Sequence, residues 1–261
     1  MHARAPEDSA GFAVLTLLAL FADIHGNREA LDACLADAQR RGAERLIFLG
    51  DMIGYGADPA YVVDVVAGRL RDGAMAVLGN HDAALIAGCD SMNSVAAASI
   101  EWTRRRLDKN QQDFLAGLPL TAERGDLLFV HAEAAQPRFW TYVTTSAEAR
   151  RSLRATSKRV TFCGHVHRPQ LYAAATFGLP NARAPKASVP ISVAGSGKWL
   201  AVLGSVGQPR DENPAAAYAI YDDTDGRLTF LRVAYDISTA AKKIRAAGLP
   251  DILAARLFVG R

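Results

Sequence analysis

The chain has 261 residues, 50% hydrophobic and 22% charged, the profile of a soluble globular protein long enough for one large α/β domain or two small ones. Its formal net charge of +3, from 30 basic and 27 acidic side chains, is too small a surplus to argue for nucleic acid or a membrane surface as partner. Three widely spaced cysteines, Cys34, Cys89 and Cys163, are odd in number and argue for reduced thiols rather than a disulfide framework, so cytoplasmic residence is the expectation.

Residues 1–12 are polar and read as a disordered tail, with a single domain expected over 13–261. The apolar stretch 13–22 follows Glu7 and Asp8, is too short to span a bilayer and leads straight into Asp23 and His25. It reads as a buried strand over 14–22. A helix is predicted over 27–41, with Leu31, Leu35 and Ala38 on one stripe, then a strand over 45–49 that ends at Gly50-Asp51. Pro59 opens a helix to about Leu70, and 74–78 forms a strand ending at Gly79-Asn80-His81. Such alternation implies parallel strands with right-handed crossovers, and ligands in such sheets gather beyond the carboxyl ends of the strands. A helical stretch is predicted over 81–117, and the arginine runs at 104–106 and 150–151 read as solvated helix faces. Strands follow over 126–130, ending at His131, and over 159–163, ending at Gly164-His165. Further strands are predicted at 168–174, 189–193, 198–204, 216–222 and 228–235, the last two joined by a turn at Asp222–Gly226. The Pro/Ala/Gly-rich segment 175–188 reads as an exposed excursion, and one or two helices close the chain over 238–257.

Five of the six histidines fall in short motifs at strand ends, each with aspartate, asparagine or glycine: Asp23-Ile-His25-Gly-Asn27, Gly79-Asn80-His81-Asp82, His131, and Gly164-His165-Val-His167. With Gly50-Asp51 they form a set of oxygen and nitrogen donors suited to two divalent metal ions of the Mn, Fe, Zn, Ni or Co kind. Asp23 and His25 straddle a tight turn and can face one ion, and Asp51 on the next strand is close enough to bridge two. Asn80 offers an amide oxygen, and His131, His165 and His167 complete the shell. Two divalent cations against two carboxylates leave a net positive centre, ready for an anionic phosphoryl group. His81 is surplus to the ligand count, which makes it the candidate proton donor to a leaving alkoxide. Cys163, next to Gly164, reads as buried strand filler, since this donor set has no need of a thiolate.

These motifs, Asp-x-His, Gly-Asp, Gly-Asn-His-Asp, His and Gly-His-x-His over residues 23–167, resemble those of the calcineurin-like metallophosphoesterases. Residues 204–211 resemble a segment of small bacterial members. The resemblance implies an α/β fold of four layers, α/β/β/α, with two mixed β-sheets flanked by helices. It implies a dinuclear metal-dependent hydrolase of phosphate esters, a phosphodiesterase or phosphatase, in which a metal-bridging hydroxide attacks phosphorus in line. Asp23, His25 and His167 would hold one metal, Asn80, His131 and His165 the other, with Asp51 bridging and His81 as general acid. The partner would be a small-molecule phosphate ester or nucleotide. The alternative is a non-catalytic scaffold, or a nucleotide- or protein-binding module, on the same fold.

The chain departs from the family pattern at two points. Ala22 stands where Ser or Gly often precedes Asp-x-His. Gly54 stands where the protein-phosphatase branch has an aspartate that orients the catalytic histidine, so His81 is left to Asp82, a backbone carbonyl or nothing. Flanking residues carry alternatives. Asn27 can touch a phosphate oxygen or cap a helix, and Tyr55 can stack on a substrate base or pack its loop. Arg168 and Arg210 can neutralise a phosphate or pair with carboxylates, while Trp140 and Tyr142 read as core or as the rim of the cleft.

Overall fold

The computed structural model describes residues 17–90 and 92–261. The expected tail over 1–12 and the opening of the strand expected at 14–22 lie outside the described residues. From Leu17 the chain alternates strand and helix: β1 (Leu17–Phe21), α1 (Arg28–Arg40), β2 (Arg45–Phe48), α2 (Pro59–Arg71) and β3 (Met75–Ala76). The helical stretch predicted over 81–117 is three helices, α3 (Asn80–Ala87), α4 (Ser94–Arg104) and α5 (Lys109–Ala116). Local chemistry divides it. Gly88 ends α3 at φ 100°, and the Asn93 and Asp108 side chains accept from Ala96 N and Gln111 N to start the next two helices.

The second half holds β4 (Thr121–Arg124), β5 (Leu127–Val130), α6 (Ser146–Arg154), β6 (Val160–Cys163), β7 (Gln170–Ala173), β8 (Asn181–Arg183), β9 (Ile191–Ser192) and β10 (Trp199–Val202). The chain closes with β11 (Ala216–Asp222), β12 (Arg227–Val233), α7 (Ile237–Ala246) and α8 (Asp251–Val259). Two strands and one helix differ from expectation. β4 and β8 are edge strands of polar sequence, with no apolar run to announce them; β8 lies inside the segment read as an excursion. The α6 helix was visible only as a pair of arginines.

Two six-stranded mixed sheets result, in the orders β3-β2-β1-β11-β12-β9 and β4-β5-β6-β10-β7-β8. Strand alternation builds the four layers. On β1, Leu18 and Leu20 face the second sheet and pack with Phe129 and Phe162, while Ala19 and Phe21 face Leu31 of α1 and Val62 of α2. On the far side of the second sheet, Val130, Cys163, Leu200 and Val202 pack against Ala149 and Leu153 of α6. A side chain of Leu or Phe buried in this way contributes about 1.5–3 kcal/mol. No helix among the described residues is long and apolar enough to cross a membrane.

The sheets also position the site. β1, β2 and β3 run parallel in one sheet, as do β5, β6 and β10 in the other, so six strand ends can meet at one rim. Backbone bonds join the loops that leave them: Asp23 N donates to Gly50 O at 3.1 Å, His25 N to Asp51 O at 2.9 Å, and Gly164 N to His131 O at 2.9 Å.

Candidate metal centre

At this rim Asp23, His25, Asp51 and His167 bring ligand atoms within 4.8 Å of one another, and so do Asp51, His131 and His165. Asp51 is common to both groups. Its Oδ2 lies 3.6 Å from His25 Nε2 and its Oδ1 lies 3.5 Å from His131 Nε2. Asn80 Oδ1 joins the second group, 3.0 Å from His131 Nε2. All of the charged and imidazole members are buried.

Backbone geometry aims these side chains. Asp23, His25, Asp51, His165 and His167 all adopt left-handed φ, between 51° and 68°. Asp and His enter that region more readily than most residues, yet each such position costs on the order of 1–3 kcal/mol. The strain is over-determined by the cross-loop bonds. In addition, the Asp23 carboxylate accepts from His165 N, at 3.0 and 2.9 Å, and Ser205 Oγ donates to Asp23 O at 2.7 Å.

Three backbone carbonyls decide the histidine tautomers. His25 Nδ1 donates to Ile53 O (3.1 Å), His131 Nδ1 to Leu49 O (2.7 Å) and His167 Nδ1 to Gln208 O (2.7 Å). A carbonyl only accepts, so in each neutral ring Nε2 carries a lone pair. Burial drives His25 and His167 well below the ordinary histidine range and His131 down to about 4, so the rings are neutral at pH 7. The Nε2 atoms of His25 and His167 therefore point lone pairs at each other across 3.1 Å, with Asp23 Oδ1 3.4 Å from His167 Nε2. Acceptors converging with no proton between them repel, and a cation turns the same cluster into a ligand shell. Burial raises Asp51 to about 7, and burial together with Asp51 raises Asp23 well above the carboxylate range. This too is a donor set that fits positive charge.

His81 sits beside the cluster. Its ring contacts Tyr55 and His25 at centroid distances of 4.5 and 4.8 Å, and its backbone N donates to Asp51 Oδ1 at 2.8 Å. Nδ1 is buried with no hydrogen-bond partner among the described residues. Asp82 does not orient it, because Asp82 Oδ1 accepts from Met52 N and Ile53 N and its Oδ2 from Gly79 N. Nor could a side chain at 54, since a Cβ built on Gly54 collides with His81 Nδ1. Burial, then His131 and Arg210, pull His81 down to about 3.

Two residues expected to bind substrate have structural partners. The Asn27 amide has structural partners on both atoms: Oδ1 accepts from Ala30 N as the α1 cap, and Nδ2 donates to Gly207 O at 2.9 Å. Arg168 is exposed, its Nε donating to Arg210 O at 2.6 Å. The guanidinium that faces the cluster is that of Arg210, with Cζ 5.7 Å from the Tyr55 ring centroid and charge that lowers Asp23 and Asp51. Both arginines stood open in the sequence, and only the path of the loop after β10 separates them. Tyr55 is buried against His25 and His81 and lines the adjoining cleft. The carbonyls of Leu49, Ile53 and Gln208 were not anticipated, because a carbonyl's role leaves no trace in residue identity. Cys163 is buried and free, its thiol pushed up by burial, and packs as strand filler.

The chain matches the calcineurin-like phosphoesterase superfamily domain over residues 17–226. An uncharacterized protein from Methanocaldococcus jannaschii is 34% identical, across 95% of this chain and all of its own length. A metallophosphoesterase structure from Sphaerobacter thermophilus superposes with a TM-score of 0.83 at 32% identity, covering 94% of this chain and 99% of that one. A hypothetical protein from Pyrococcus horikoshii, at 19% identity and a TM-score of 0.76 over 94% and 99% of the two chains, shares the fold. Sequence, fold and the buried Asp/His groups at the rim agree: this chain belongs to the calcineurin-like phosphoesterase superfamily.

Proposed function

We propose that the protein is a dinuclear metal-dependent hydrolase of phosphate esters, acting on a small-molecule ester or nucleotide. The observation that carries this reading is the shared carboxylate: Asp51 stands between two groups of acceptor atoms whose histidine tautomers leave lone pairs directed inward. Asp23, His25 and His167 would hold one ion and Asn80, His131 and His165 the other, an oxygen/nitrogen set suited to Mn, Fe, Zn, Ni or Co. Such ions supply Lewis acidity toward a phosphoryl oxygen and toward a water.

The chain's own residues do the rest. Arg210 adds a fixed positive charge beside the cluster for phosphoryl oxygens. The carbonyls of Leu49, Ile53 and Gln208 hold three imidazoles in one tautomer and one orientation, which keeps their Nε2 atoms available. His81, with Nδ1 buried against Gly54, offers Nε2 to the cleft it lines and is the proposed donor to the leaving alkoxide. The free thiols of Cys34, Cys89 and Cys163 support residence in a reducing compartment, in line with a cytoplasmic enzyme.

The test is hydrolysis of an aryl phosphate ester by the purified protein with Mn²⁺, beside the Asp51→Asn variant. The variant should lose more than about a hundredfold in kcat/KM and bind fewer ions per chain. Full activity in Asp51→Asn overturns the reading. A scaffold would bind metal and leave the ester intact.

A further inference from the structure

Beside the metal-ligand groups opens a cleft of about 360 Å³, whose wall includes Asn80, His81 and His165 of the site itself. That size is at the lower end of the ~300–1,000 Å³ typical of small-molecule sites. Away from the site the cleft is bounded on one side by Phe139, Trp140 and Tyr142, from the loop between β5 and α6. Alanines of α3 and α4 also line it, with Gly88, Met92 and Asn93 from the segment between the two helices. Among the described residues, no lysine, arginine, aspartate or glutamate lines it.

The aromatic wall is built onto the metal-ligand histidines. The Tyr142 ring stacks on His165 with centroids 4.0 Å apart and planes 16° from parallel, and Trp140 meets His131 edge-on at 5.8 Å. Phe139 is 71% exposed and Tyr142, stacked on His165, is still 49% exposed, so two large rings face solvent beside a polar centre. Trp140 is held at φ 52°, a left-handed conformation that is rare for so bulky a side chain. Arg210 is not itself part of the lining, but its guanidinium borders the cleft at the end next to the metal-ligand cluster, over the Tyr55 ring and beside Tyr142.

We infer that this cleft receives an uncharged planar group of nucleobase kind, carried on the alcohol part of the substrate ester. The inference rests on the phosphoesterase reading above for the position of the phosphoryl group. With that group at the metal-ligand cluster, the remainder of the ester enters a space walled on one side by ring faces. A planar base gains stacking there. A leaving group that is itself a chain of phosphates gains no stacking on these rings and is disfavoured.

The experiment compares adenosine 5′-monophosphate, ribose 5-phosphate and adenosine 5′-triphosphate with Mn²⁺-loaded protein, by kcat/KM and by equilibrium binding. The monophosphate is expected to exceed ribose 5-phosphate by about ten- to a hundredfold, the range of a base stacked on an aromatic side chain. It should also exceed the triphosphate. In Phe139→Ala, where an exposed ring is removed, and in Trp140→Ala, the ratio of monophosphate to ribose 5-phosphate should fall toward one. Equal values for the two esters in the native protein, or a ratio that neither substitution moves, overturns the inference. Hydrolysis of neither ester counts against the phosphoesterase reading alone. In that case binding decides: tighter binding of the monophosphate, weakened in Phe139→Ala, sustains the cleft assignment, and equal binding ends it.

Discussion

His81 is held by ring faces and by a glycine rather than by a hydrogen-bond partner. Tyr55 and His25 pack against the imidazole, and its Nδ1 fills the space that a side chain at 54 would need. Burial and nearby His131 and Arg210 pull the ring down to about 3, while a phosphoryl anion arriving beside it acts in the opposite direction. If His81 protonates the leaving group, its loss matters only where the alkoxide is poor. His81→Ala is expected to cost about 10²–10⁴ in kcat on an alkyl ester and less than about tenfold on a nitrophenyl ester. Equal losses on both would show that the ring only orients. Gly54 is tested separately, since at φ +85° and against His81 it has two reasons to be glycine. Gly54→Ala is expected to lower stability by about 1–3 kcal/mol, measured by denaturant unfolding, and His81→Ala in the same chain should restore part of the loss. Independent, additive effects would mean that the two residues do not press on each other. The aspartate and histidine positions were legible in the sequence as motifs. The choice of Arg210 over Arg168 was not, because both follow turns and only the fold shows which guanidinium faces inward.

At the scale of elements, α6 shows how a local signal can be passed over. Thr145 accepts from Glu148 N, and Glu148 Oε2 accepts from Thr144 N at 2.7 Å and Thr145 N at 2.8 Å, a complete capping box. Thr-x-x-Glu was in the sequence; only the arginine pair at 150–151 was read as a helix face, and the helix bounds were not, because the apolar stripe is short, with Ala149, Ser152 and Leu153 as its buried residues. This helix covers the outer face of the second sheet and ends the loop that carries Phe139, Trp140 and Tyr142. Glu148→Ala should destabilise the protein by about 0.5–2 kcal/mol in denaturant unfolding, and an unchanged midpoint would show that the box is idle. β4 illustrates the opposite case. The sequence Thr-Ala-Glu-Arg has no apolar alternation, and it becomes a strand because the turn at Gly125-Asp126 returns the chain alongside β5, pairing Arg124 with Leu127 and Thr121 with Val130.

For the whole molecule, the buried centre links stability to pH and to metal. Asp51 is raised to about 7 by burial, from about 4 in an unfolded chain. Without cations the folded chain holds a proton there that the unfolded chain has released, so stability falls as pH rises from about 4 through 7. The histidines act the other way. His131 is lowered to about 4, so the unfolded chain takes up its proton first and stability falls as pH drops through about 6.5. Above pH 6.5 the carboxyl contribution is the one that changes, by at most about 1.4 kcal/mol per proton and pH unit. Divalent ions bound at the centre would remove that penalty by supplying the missing charge. Chelation is therefore expected to lower Tm, and to lower it by more at pH 8 than at pH 6.5, by about 2–4 °C for each kcal/mol in a chain of this size. A chelator without effect, or with the same effect at both values, would show that no cation balances these carboxylates. Side-chain chemistry and the alternation of apolar runs with turns were enough to name the donor set, the strand ends and the layered α/β class, since each depends on residue type and short-range spacing. Long-range closure was needed for everything that depends on distance across the two sheets: Asp51 standing between the two groups, the carbonyls that set the imidazole tautomers, the inward turn of Arg210 and the aromatic cleft. Those relations join loops far apart in the chain, and no local pattern records which of them will meet.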